Sequence, residues 1–224
     1  MVQDLVIVGA GGSSREIAGA VEDINQMRKT WNVLGFLDDD PSKSDATIDG
    51  LRVLGSLDSA RTHAQALFVV GIASYKVPST RRQIVQTLDL PPNRFATIIH
   101  PSASLSRMTR LGRGSIVLQN VVITSGTTVG DHVLISQGAQ LAHDVVVADY
   151  VTLAPAVIVC GAVTIRESAY LGAGAVIAPG VMVDVEALVG IGATVTENVA
   201  AGSTVFGNPA RTINVLGGPR RWSR

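Results

Sequence analysis

The chain has 224 residues, 46% of them hydrophobic and only 4% aromatic, so it holds one large or two small domains with ample material for a core, and it is globular rather than disordered. Lysine plus arginine balance aspartate plus glutamate at 18 each, which argues against a nucleic-acid-binding surface and against an acidic tail. The single cysteine, Cys160, excludes an internal disulfide and a cysteine-based metal cluster; with no signal-peptide pattern at the start and no membrane-length apolar run, a cytoplasmic protein is expected.

In chain order, residues 4–9 (DLVIVG) read as a buried strand, and Gly9-Ala10-Gly11-Gly12-Ser13-Ser14 as a glycine-rich turn. Helical spacing follows from Arg15 to Arg28, with Ile17, Val21 and Ile24 on one face. A second strand, Val33 to Leu37, runs into the acidic triplet Asp38, Asp39, Asp40. A third strand is expected over Leu67 to Gly71 and a helix over Pro78 to Leu88, with Ser74 or Ser79 available to cap it. Strands alternating with helices predict a small parallel α/β unit over 1–95, closed by Pro91, Pro92 and Asn93. The turn is a partial dinucleotide fingerprint, because Ser14 stands where its third glycine belongs, but it supports a phosphate cradle at a helix N-terminus.

From Ile98 the pattern changes period. Every sixth residue from Leu105 to Val195 is aliphatic, and four places after each the residue is Ala, Ser, Thr or Val, as in Thr109, Ser115, Val121 and Ala139. Helices repeat near 3.6 and flat strands at 2, so a strict period of six predicts a solenoid of short strands and corners, over 96–210. Three hexads per coil make about six coils, with residues 18 apart stacked about 4.8 Å from one another along the axis. A β-sandwich would need loops of varied length, and none breaks the phase. Residues 211–224 are left as a tail, whose Arg220, Arg221 and Arg224 read as solvated.

Four histidines can be weighed singly. His143 with Asp144 occupies a corner, where an imidazole beside a carboxylate can deprotonate a nucleophile while the carboxylate fixes its tautomer; a surface pair without a role is the alternative. One coil on, at 143 plus 18, stands Gly161. Its N–H would lie near that base as a donor to an oxyanion, unless the glycine only serves a corner needing positive φ. Cys160 beside it reads as a small buried hydrophobe rather than an acyl carrier. His100 and His132 read as structural, His132 at a solvated corner, and His63 lies in a polar stretch. No metal is expected, since a solenoid zinc site needs three converging histidines.

On the segments VIVGAGGSSREIAGAV, GFLDDD, IIHPSA, AQLAHDVVVADYVTLAP and FGNPAR, in that order, the chain resembles the hexapeptide-repeat acyltransferases. Within them it is similar to the branch containing sialic acid O-acetyltransferases and nucleotide-sugar N-acetyltransferases of bacterial surface glycans. The resemblance implies a Rossmann-like α/β domain followed by an all-β left-handed parallel β-helix. It implies acetyl-CoA as co-substrate and direct transfer to a nucleotide-linked amino sugar, with O-acetylation of a sialic acid and a noncatalytic, sugar-nucleotide-binding scaffold as the other readings. His143 would be the general base, Asp144 its orienting partner and Gly161 the main-chain donor. Nine residues on, where many relatives carry a second histidine near the thioester, this chain has Thr152, with Tyr150 close by in sequence. Ala173 and Ile191, in a column with Pro155 and Pro209, would contact acetyl-CoA, and Arg211 a CoA phosphate. Gly11, Gly12, Ser13, Asp38, Asp39 and Gly71 would hold the nucleotide-sugar, with Ser13 in place of a histidine frequent in relatives. A homotrimer with its active sites between subunits is implied as well.

Overall fold

The computed structural model describes residues 2–213; Arg220, Arg221 and Arg224 lie outside the described residues. Strand β1 (Gln3–Val8) leads into helix α1 (Gly12–Met27), which starts earlier than the apolar spacing predicts because extended Gly11 serves as its N-cap. Strand β2 (Trp31–Leu37) follows, then a short hairpin of β3 (Thr47–Ile48) and β4 (Leu51–Gly55) that the sequence reading did not foresee, then β5 (Leu67–Val70) and helix α2 (Thr80–Leu88). Sheet order is β3-β4-β2-β1-β5, parallel except for β3. Ser79 is the N-cap residue of α2 but makes no side-chain cap bond, whereas the Ser74 hydroxyl accepts the Val77 N–H at 3.2 Å.

From Ile98 the chain winds a left-handed parallel β-helix of two-residue strands. Residues pair 18 apart, as in Val122 with Gln140 and Ile123 with Leu141. The strands form three faces of a prism. Face I carries the strands from Ser104–Leu105 to Thr194–Val195, face II those from Arg110–Leu111 to Met182–Val183, and face III those from Ile98–Ile99 through Leu188–Val189 to Thr204–Phe206. Arg211–Thr212 adds an antiparallel strand to face III, so the chain remains in the sheet beyond residue 210. The aliphatic column and the small column both point inward and make one core from Val117 to Val205. The corners reverse through a left-handed residue at every sixth position, including Asn120, His132, Asp144, Ala156 and Ala162, a conformation that costs a side-chain-bearing residue about 1 kcal/mol or more.

The outer side of face III is covered. Ile98, Ile116 and Leu134 point out of the prism into a core shared with Leu5, Ile7, Ile17 and Phe36 of the α/β unit. Faces I and II stay open and expose Val122, Ile158 and Val146 by 38 to 46%. Two histidines hold the docked surface. His100 bonds Asp23 of α1 at 3.0 Å and Ser102 at 2.8 Å. His132 is not at a solvated corner, as expected, but buried edge-on against Phe95 and stacked on Tyr150, and burial pushes its pKa down. No helix among the described residues is long and apolar enough to cross a membrane.

Candidate active site

The edge between faces I and II brings His143, Asp144 and Gly161 together. His143 Nδ1 lies 3.0 Å from Asp144 Oδ2, and both side chains are about two-thirds exposed, at 69% and 68%. A carboxylate only accepts, so Nδ1 carries the hydrogen of this bond and donates to Asp144. Left-handed Asp144 (φ 59°) turns consecutive side chains to the same side of the edge, where they meet.

Gly161 lies directly under the imidazole: a Cβ at this position would stand 2.6 Å from both Cε1 and Nε2 of His143. The positive-φ alternative for this glycine does not hold, because the left-handed residue of the corner is Ala162 (φ 58°). Glycine is needed at 161 so that the ring can rest on the backbone. Ala162 N–H donates to the His143 carbonyl at 2.9 Å and Gly180 N–H to the Gly161 carbonyl at 3.0 Å, while among the described residues nothing accepts the Gly161 N–H. The edge therefore brings the second ring nitrogen of His143 close to Gly161, whose N–H has no acceptor among the described residues.

The other residues expected at the acyl donor lie elsewhere on the prism. Ala173 and Ile191 lie on the edge between faces III and I, where Ile191 is 59% exposed. Arg211 lines a cleft of about 100 Å³ at the C-terminal end with Glu197, Asn198 and Thr212, and its Nη1 donates to the Ala210 carbonyl at 2.9 Å. Thr152 must be reassigned. It lies on face III, opposite the His143 edge, 6% exposed, and its hydroxyl accepts the Arg81 Nη2 at 3.1 Å. Buried there, its hydroxyl is not open to a thioester within this chain. Tyr150 is not its substitute, since it stacks on His132 at the edge between faces II and III.

A second cleft, of about 290 Å³, opens at the C-terminal ends of β1, β2 and β5, where the strand order reverses and open parallel sheets bind ligands. Gly11, Gly12, Ser13, Asp38 and Gly71 line it as the sequence suggests. Asp39 does not: its Oδ1 accepts the Leu57 N–H at 2.8 Å and so holds the start of the short helical turn Leu57–Thr62 instead. Asp38 accepts the Ala10 N–H at 2.7 Å and Lys43 Nζ at 2.9 Å. Partial burial pushes its carboxyl up, but the bonds from Lys43, Asp40 N–H and Ala10 N–H outweigh that and hold it below the usual carboxylate range. Gly9, Lys43, Ile72 and Ala73 complete the lining, and the last three carry no mark in the sequence; Lys43 falls in a short turn after Pro41.

The missing third glycine of the fingerprint is supplied from the opposite side. Ser14 is fully buried in α1 against Gly71, where a Cβ would stand 2.9 Å from Ser14 Cα. Close helix-to-strand packing, the task of that glycine, is thus achieved by shortening the strand side.

Residues 4–88 match the family described as the PglD N-terminal domain. Over 215 residues, 92% of this chain and 95% of the relative, the sequence is 34% identical to a GDP-perosamine N-acetyltransferase of Escherichia coli O157:H7. The acetyltransferase domain of PglB from Neisseria gonorrhoeae FA1090, solved in complex with acetyl coenzyme A, superposes with a TM-score of 0.83 at 25% identity, over 95% of this chain and 100% of that one. PerB from Caulobacter crescentus, solved with CoA and GDP-perosamine, superposes with a TM-score of 0.82 at 26% identity, over 96% and 99%.

Proposed function

The chain belongs to the hexapeptide-repeat nucleotide-sugar acetyltransferases, and from that premise we propose how its own residues carry out the transfer. It is an acetyl-CoA-dependent enzyme that N-acetylates a nucleotide-linked amino sugar. A GDP-linked 4-amino sugar of the perosamine type is the substrate we assign, following the E. coli and Caulobacter relatives.

In this scheme residues 1–95 hold the nucleotide and 96–210 the acyl-transfer edge. The amine attacks the thioester carbonyl, His143 Nε2 takes its proton, and the Gly161 N–H faces the oxyanion. The C–S bond then breaks, the thiolate leaves with the proton from His143, and the amide remains. Asp144 holds the imidazole in the tautomer that can accept. The observation that supports this is the imidazole resting on Gly161, with Nδ1 on Asp144 and Nε2 open.

We place acetyl-CoA between subunits, against Ala173, Ile191 and Arg211. The base and this column stand on different edges of one prism, and faces I and II, which the α/β unit leaves open, are free to pack against copies, so a homotrimer would bring one chain's base edge to another's donor column. Sedimentation as a trimer is the expected result; a monomer at working concentrations would overturn the shared site. The single cysteine suits the cytoplasm, where we place the reaction.

The substrate is tested by following CoA release from acetyl-CoA with GDP-, UDP- and TDP-linked 4-amino sugars and with free sialic acids. Fastest turnover is expected on a nucleotide-linked amine. Preference for a free sialic acid, or no turnover with any nucleotide-linked amine, would refute the assignment.

A further inference from the structure

Arg81 is a cation in a place that does not favour one. It lies in α2, 2% exposed, and among the described residues it forms no ion pair. All its acceptors are neutral: Nε donates to the Ile72 carbonyl at 3.0 Å, Nη1 to the carbonyls of His132 and Val151 at 3.2 and 3.3 Å, and Nη2 to the Thr152 hydroxyl at 3.1 Å. Burial pushes the guanidinium down to about 10, with the Tyr170 phenol acting the other way, so it stays charged at neutral pH. A buried charge without a counter-charge costs more than an apolar side chain of the same volume, so stability does not account for it.

Its geometry does. Nε holds the wall of the nucleotide cleft, since Ile72 and its neighbours Gly71 and Ala73 line that cleft. The two Nη groups hold consecutive coils of the β-helix, at 132 and at 151–152. Adjacent Arg82 docks the same helix differently, through ion pairs to Glu167 and Glu186 at 2.7 and 2.8 Å that touch nothing in the cleft. A planar fork with fixed donor directions can set two elements at one distance, which a single flexible ammonium cannot.

We propose that Arg81 is a positioning residue that fixes the nucleotide-cleft wall at Ile72 onto the β-helix at His132, Val151 and Thr152, and so sets where the bound sugar's amine stands relative to the acyl-transfer edge. This rests on the assignment of the cleft to the nucleotide-sugar made above. A displaced wall would weaken the nucleotide-sugar and leave acetyl-CoA untouched, because no donor residue contacts Arg81.

The test compares the full-length wild type with Arg81→Met, Arg81→Lys and Arg82→Gln. Both Arg81 variants are expected to raise KM for the GDP-linked 4-amino sugar about 10-fold or more, with KM for acetyl-CoA unchanged; Arg82→Gln should raise neither. In Arg81→Met, Val151 keeps its Leu134 N–H at 3.0 Å but the His132 carbonyl and Thr152 hydroxyl lose their donor, so Tm should fall by several degrees while the protein stays folded. Independently of turnover, carbonyl-¹³C isoleucine and amide-¹⁵N alanine labelling reports on Ile17–Ala18, Ile72–Ala73 and Ile177–Ala178. The Ile72–Ala73 signal alone should move in the Arg81 variants. An unmoved Ile72–Ala73 signal, or a parallel rise in both KM values, would overturn the proposal. If none of the four proteins turns over the sugar, the substrate assignment falls and the labelling still decides the role of Arg81.

Discussion

Replacing His143 by alanine is expected to lower kcat by about 10²-fold or more, the range of general base catalysis, or about 2.7 kcal/mol of transition-state stabilisation. The imidazole is 69% exposed and bonds only the neighbouring Asp144, so its removal exposes no core and leaves no buried partner unpaired. Tm should change by no more than about 2 °C, as for other surface replacements. KM for both substrates should hold, as expected of a ring proposed to move a proton rather than to hold either one. Near-normal turnover at unchanged substrate saturation would remove His143 from the mechanism.

Gly161→Ala should lower kcat by roughly 10- to 10²-fold while the fold persists. The backbone at 161 is outside the left-handed region, so alanine can adopt it, and its N–H stays in place. What cannot stay is the ring: the added Cβ would stand 2.6 Å from Cε1 and Nε2, well inside van der Waals contact, and the exposed imidazole is the part free to swing away. The variant thus separates the seat of the base from the amide beside it. A Gly138→Ala control tests the opposite property, for there φ is 69° and a Cβ would meet nothing, so stability should fall without loss of kcat in the folded fraction. Wild-type kcat in Gly161→Ala would show that the resting position of the ring does not matter for transfer.

Legibility follows the physics of each element. A repeat of period six with an aliphatic residue in each hexad can bury its side chains only by coiling, and the 18-residue coil places His143 over Gly161 by arithmetic alone. The glycine-rich turn likewise marks a helix N-terminus at the end of a strand, wherever that helix ends up. Contacts between distant segments were less readable. Thr152 reads as a donor-site residue until Arg81, 71 positions earlier, takes its hydroxyl. Asp39 is indistinguishable from Asp38 in a run of acids, and only the approach of Leu57 turns it out of the cleft. His132 and His143 are both corner histidines; Phe95 and Tyr150 enclose the first, while nothing covers the second. The outward positions of face III step by 18, and all but Thr152 are large and mostly apolar, as in Ile98, Ile116, Leu134, Tyr170 and Leu188, unlike those of a face left to solvent; the first three enter the core shared with the α/β unit.

The sequence by itself determined the coil, its length and the stacking of His143 on Gly161, because these depend only on local periodicity and on residues one repeat apart. Tertiary structure alone decided which face the α/β unit covers, which acids and hydroxyls are consumed in docking it, and that the base and the expected donor column stand on different edges. Those outcomes depend on which surfaces meet, and side chains far apart in the chain compete for the same donors only once the chain has folded.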